Sequence, residues 1–173
     1  MEATFDNKTN LFNASLRSKV DDSVLYTLTT KSGYRGKKHT VITDANPAPG
    51  HSATAGVIHW KEEAFEIGGQ RKPCKELKQV SGSLFKKVRH WQWASDRKKY
   101  EMRYEEETWK AFLLGELVAT FYIPSHPKLF GKLKPSTLQM DSKALLEDEV
   151  FLLLAFVYLE VKRQEKTNSA ALT

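Results

Sequence analysis

Five histidines, one cysteine and a pair of adjacent carboxylates are the residues of this chain that could carry catalysis. His39, His51, His59, His90 and His126 are scattered, with no i,i+4 pair and no His-Glu-x-x-His pattern, so metal-ligand spacing is absent. His59 lies between Ile58 and Trp60 and points to the opposite face of a strand from both, where it is exposed or hydrogen-bonded. Cys74 follows a proline in a basic stretch, and a dyad with a histidine would need a partner brought from elsewhere in the chain. Asp148 and Glu149 are neighbours, which on a helix do not face each other, so capping explains them better than acid–base work. Gly68-Gly69 runs into Gln70-Arg71-Lys72 without the Lys-Ser/Thr ending of a phosphate loop, and reads as a hairpin turn. The chain is therefore read as a non-enzyme, with no catalytic residue, no metal and no cofactor.

Binding chemistry is better represented. Lys31, Arg35, Lys37 and Lys38 form one basic cluster, and Lys72, Lys75 and Lys78 a second. Lys86, Lys87 and Arg89 precede an aromatic strand, and Lys128, Lys132 and Lys134 frame Phe130 and Leu133 in a connector. Basic loops with apolar tips suit an anionic membrane surface, each cation contributing about 1 kcal/mol. The lipid- or anion-binding candidates are accordingly Lys86, Lys87, Arg89, Lys128, Lys132 and Lys134. The competing explanation is a solvated face that keeps the domain soluble. Trp91 and Trp93 beside positive charge could stack nucleic-acid bases, but alternation puts both on one strand face, the core side, and Glu105-Glu106-Glu107 would repel phosphate. Nucleic acid is not the expected partner.

The elements that must position these groups fit a chain of 173 residues, enough for one domain with one core. Charge is 27 − 21 = +6, and the lone cysteine excludes an internal disulfide or a Cys-rich metal site. The start, Met1-Glu-Ala-Thr-Phe, has neither the basic opening nor the apolar core of a secretory signal, so the expected location is the cytoplasm, with a peripheral membrane association open.

β-Branched and aromatic runs bounded by turn residues predict strands at 24–30, 39–43, 55–60, 64–67, 89–93, 100–104, 109–114, 117–123 and 137–140. Their spacing is that of a sandwich or barrel. Val150 to Leu159 is then ten apolar residues in a row, with Asp148 placed to cap it and Lys162-Arg163 after it. A helix there is apolar on every side, yet only about 15 Å long, half a bilayer core. Extending it to Leu145–Val161 brings in Glu147, Asp148, Glu149 and Glu160, which oppose insertion. A helix over about 146–165, buried on all sides by protein, is the economical reading, with a fully buried strand as competitor. Residues 1–166 would then form a single domain, a closed or nearly closed antiparallel β-barrel around that helix, and 167–173 a loose tail.

Several stretches together resemble a fungal domain-of-unknown-function family grouped with the tubby-like and phospholipid-scramblase-like barrels. They are Leu25-Tyr26 with Thr29, Ile58-x-Trp60, Ile67-Gly68-Gly69, Arg89-x-Trp91, Asp96 to Tyr100, Val118-Ala119 and Asp148 to Arg163. The resemblance, from about Phe5 to Lys166, implies a twelve-strand barrel around a central hydrophobic helix, and no activity. Arg97 stands where the family usually has glycine, which suggests a longer hairpin loop, and Met102 stands where it has tryptophan. Neither tubby-type inositide ligands nor the acidic calcium segment of scramblases has a counterpart to carry over. The expected function is a non-enzymatic binding module that meets anionic phospholipid through basic loops. The alternatives are a protein-interaction or structural barrel without lipid preference and, third, an enzyme of unknown class.

Overall fold

A computed structural model describes residues 1–8, 10–34, 36–83, 86–124, 134–145 and 147–170. Among the described residues thirteen strands form one antiparallel sheet: β1 (Glu2–Phe5), β2 (Asn13–Ser18), β3 (Val24–Gly33), β4 (Gly36–Asp44), β5 (Thr54–His59), β6 (Ala64–Ile67), β7 (Gln70–Pro73), β8 (Lys78–Ser83), β9 (Lys86–Gln92), β10 (Lys99–Glu105), β11 (Thr108–Leu113), β12 (Glu116–Tyr122) and β13 (Thr137–Met140). A short helix, α1 (Cys74–Leu77), separates β7 from β8, and α2 (Ser142–Leu145) and α3 (Glu149–Ala170) follow the last strand.

The nine runs expected as strands are all strands. Four more, β1, β2, β7 and β8, carry too few apolar residues to announce themselves; Gln70-Arg-Lys-Pro73 has no bulky one. Their pairing comes from neighbours: β1 bridges β2 and β13, and β7 returns from β6 through the Gly68-Gly69 turn. Both glycines there have positive φ, 57° and 77°, the type I′ geometry that fits a two-residue hairpin.

The sheet order runs β7-β6-β5-β4-β3-β2-β1-β13-β12-β11-β10-β9-β8. A closed barrel is not what this ladder forms. With thirteen strands and every neighbouring pair antiparallel, the edge strands β7 and β8 run in the same direction. A parallel ladder between them would need a crossover of a dozen or more residues, whereas α1 supplies four. Side chains span that seam instead. Lys72 Nζ donates to the Trp93 carbonyl at 2.9 Å and sits over the Trp93 ring, and Phe65 stacks on Trp91 with centroids 5.9 Å apart.

The sheet curls around α3, whose residues Phe151 to Val161 are all buried. Partners come from both halves of the sheet: Trp60 stacks on Tyr158, Phe65 meets Phe151, and Phe121 meets Phe156. The helix buried on all sides is thus as expected, but it starts at Glu149 and continues to Ala170. Residues 167–170, expected in a loose tail, form its last turn, where Thr167 and Ser169 hydroxyls donate to the carbonyls of Arg163 and Glu165. Asp148 takes the N-cap place, its carbonyl accepting from the Leu152 amide at 2.8 Å. Its side chain turns away from the cap and accepts from the Tyr100 hydroxyl at 2.9 Å.

Gly56 shows how closely the sheet meets the helix. A Cβ there would lie 3.0 Å from both Leu154 Cδ1 and Val150 Cγ1. Gly56→Val is therefore expected to cost about 1–3 kcal/mol through overpacking, measured as a lower urea midpoint at unchanged slope. Gly56→Ala should cost less, and equal midpoints for both would contradict this packing.

Candidate functional site

Turns of an antiparallel meander fall alternately at its two ends. At one end, the base, α3 begins; at the other, the rim, it emerges. The base is closed by polar contacts. Arg97 donates through Nη2 to the Glu147 carbonyl at 3.0 Å and approaches Asp148 at 3.7 Å. Arg97 thus ties the six-residue 93–98 loop to the start of the helix. Burial raises the Asp148 carboxyl above its ordinary range, while Tyr100 and Arg97 pull it back; the Tyr100 hydroxyl is pushed up by burial and by that carboxylate. Glu149, raised by burial, is paired similarly with the Tyr26 hydroxyl. These groups brace the helix.

Cys74 is buried in the seam beside Tyr158, and burial pushes its thiol up to about 12, so it is no thiolate at neutral pH. No cluster of metal-ligating side chains occurs among the described residues.

The rim carries the open surface. A cleft of about 870 Å³ lies between the β3–β4 hairpin, the 60–63 turn and the emerging helix. Lys37, Lys38, Lys61 and Lys162 line it with His59 and Trp60. Trp60 is anchored by its indole N–H, which donates to the buried Thr40 hydroxyl at 2.8 Å. Lys37 Nζ sits 4.5 Å over the Phe12 ring and 5.7 Å over that of Trp60. Lys162 is paired with Glu63 at 2.6 Å. Lys38 and Lys61 are exposed and have no ion-pair partner among the described residues. His59, expected to be exposed or hydrogen-bonded, bonds Glu66 at 2.9 Å, and this bond together with Arg71 holds the Glu66 carboxyl below its ordinary range. Ahead of the cleft, Tyr34 at the hairpin tip is fully exposed.

The strand topology brings three of the basic clusters to the rim: the β3–β4 hairpin with Lys31, Lys37 and Lys38, the start of β9 with Lys86 and Lys87, and the approach to β13 with Lys134. Arg89 is exposed on β9 and Lys134 exposed before β13. Lys128 and Lys132 lie outside the described residues, as do the side chains of Lys86 and Lys87. Lys72, Lys75 and Lys78 belong to the seam, where Lys72 has a structural bond. Glu62, Glu63 and Glu105 to Glu107 also lie at the rim, so its positive charge is patchy.

Residues 9–165 match the sequence pattern of a family of unknown function, DUF6593. The chain belongs to that family. Neither a curated protein nor a solved structure matches it. In this DUF6593 chain the sequence reading missed Tyr34 and Lys61 as candidates. The signal for Tyr34 was there: Gly33-Tyr-Arg-Gly36 between two β-branched runs is a hairpin signature, and its tip is the place for an exposed aromatic. Lys61 had none of its own; the β4–β5 ladder, continued by the Trp60 amide donating to the Lys38 carbonyl at 3.0 Å, is what sets its turn beside Lys38.

Proposed function

We propose that this domain is a non-enzymatic, peripheral binding module that lays its rim on an anionic phospholipid surface, at the cytoplasmic face of a membrane. The observation that carries the reading is the β3–β4 hairpin, where the fully exposed Tyr34 stands ahead of Lys31, Lys37 and Lys38 with Lys61 beside them. A tyrosine ring suits the headgroup level of a bilayer, and lysines around it suit anionic headgroups. No helix among the described residues is long and apolar enough to cross a membrane, so contact would be made by this tip. A curled sheet on a buried helix supports the resemblance to tubby-like and scramblase-like barrels and to the fungal family grouped with them.

Co-sedimentation with phosphatidylcholine vesicles, with and without phosphatidylserine, tests the reading. Binding is expected only with the anionic lipid and should weaken as salt rises. At about 1 kcal/mol per lysine, each lost charge weakens binding about fivefold, so reversing Lys37, Lys38 and Lys61 to glutamate should weaken it at least a hundredfold. Tyr34→Ser should weaken it without changing the salt dependence. Equal binding to neutral vesicles, or indifference to the triple reversal, would overturn the proposal. A second reading, a protein-interaction domain, is favoured by one further feature, the fork between β9 and β10.

A further inference from the structure

We propose that the cleft between β9 and β10 is a docking site for an extended acidic peptide, which adds as a strand where the sheet forks. The two strands pair only over His90–Gln92 with Lys99–Glu101. Beyond that point β9 stays paired with β8 as far as Lys86, and β10 with β11 as far as Glu105. Lys86 to Arg89 and Met102 to Glu105 therefore face each other with no ladder between them among the described residues. Backbone edges of this kind accept an incoming strand, whose main-chain bonds give affinity while grooves for its side chains give selectivity.

A groove is present. The fork holds a cleft of about 530 Å³ lined by Val88, Arg89, Met102, Tyr104 and Trp109, among others. Met102 and Trp109 form its buried apolar part, and Tyr104 packs against Trp109 with centroids 5.0 Å apart. The charge of the occupant follows from the walls. From Leu77 to Ser95 the chain carries Lys78, Lys86, Lys87 and Arg89 and not one carboxylate. Strand alternation puts Arg89 on the face of Trp91, and it is exposed with no ion-pair partner among the described residues. On the opposite wall, Arg103 bonds Glu101 at 2.6 Å and Lys110 bonds Glu105 at 3.0 Å, so those carboxylates are already compensated. A strand with carboxylates alternating with apolar side chains meets both requirements.

The probe is a short blocked peptide of alternating glutamate and valine, fluorescently labelled, added to the whole chain without lipid. Its controls are the lysine–valine peptide and the glutamate–valine peptide N-methylated at alternate residues, which keeps its charge but cannot complete a ladder. Fluorescence anisotropy should show salt-sensitive binding of the first peptide alone. Hydrogen exchange should then slow at the amides of 86–89 or 102–105. Arg89→Glu should weaken binding about tenfold or more while leaving exchange in β11 and α3 unchanged, which separates lost docking from lost folding. No binding at millimolar peptide, equal binding of the lysine peptide, or equal binding of the N-methylated peptide would each overturn the proposal. Anionic vesicles that slow the same amides when the peptide does not would assign the fork to the membrane. Because the Lys37, Lys38 and Lys61 reversals lie on the β3–β4 hairpin and the 60–63 turn, away from the fork, vesicle binding and peptide binding can fail independently.

Discussion

Leu154→Asp is expected to abolish cooperative folding, leaving a chain that is insoluble or lacks a denaturation transition. Leu154 is fully buried in the second turn of α3 and lies against Gly56 of β5. A carboxylate there has no cation within the apolar core cluster, and it costs several kcal/mol whether it stays charged or is forced to protonate and is buried as a partnerless carboxyl. Domains of this size have only about 5–15 kcal/mol of stability to lose. The position matters more than it would on a surface helix, because every residue from Phe151 to Val161 is buried and the helix cannot rotate the charge toward water. Leu154→Met, which conserves volume, is expected to cost less than about 1.5 kcal/mol. Circular dichroism and urea titration of the two variants decide the matter. A soluble Leu154→Asp protein with a cooperative transition near that of the unaltered chain would remove α3 from the centre of the fold.

The helix was legible because ten uninterrupted apolar residues leave no polar side to face water, so length and composition alone required burial by protein. The strands with inward aromatics were equally plain: Trp91 and Trp93, or Tyr100 and Met102, mark a face by alternation, and all four are buried. Closure was not legible. It depends on how the two edges of the sheet meet, and the edge strands, β7 and β8, have almost nothing apolar to signal them; no residue of β8 from Lys78 to Gly82 is buried. The binding surface was half legible for a related reason. Clusters of lysine are visible in one dimension, but whether they share an end of the sheet depends on how many strands separate them. The β3–β4 cluster gains its importance from Lys61 and Trp60, which are about two dozen residues away in sequence and are brought beside it by the β4–β5 ladder.

Glu160→Ala is expected to destabilise the domain by about 3 kcal/mol, by analogy with the removal of one partner from a buried ion pair. In the sequence Glu160 stands out as a charge that spoils an apolar run. In the fold it is 1% exposed, and four donor groups converge on it: Trp109 Nε1 at 3.0 Å, Arg163 Nε and Nη2 at 2.8 and 2.7 Å, and Gln164 Nε2 at 2.7 Å. Arg163 also lies 4.6 Å over the Tyr104 ring. Arg163 is one-third exposed and can turn to water when its partner goes, so its share of the loss is small. The Trp109 indole is buried and cannot, and an orphaned buried donor costs about 1–3 kcal/mol; the void left by the side chain adds the rest. Glu160→Gln keeps an acceptor for the indole and should cost roughly half as much. The cause is tested by a cycle with Trp109→Phe, in which the double variant should be less destabilised than the sum of the singles by about 1 kcal/mol or more. Additive losses in urea titrations would mean that the carboxylate and the indole act independently. Coupling would identify the contact that fixes the middle of α3 against β11, and with it the positions of Lys162 at the rim cleft and of Trp109 in the fork.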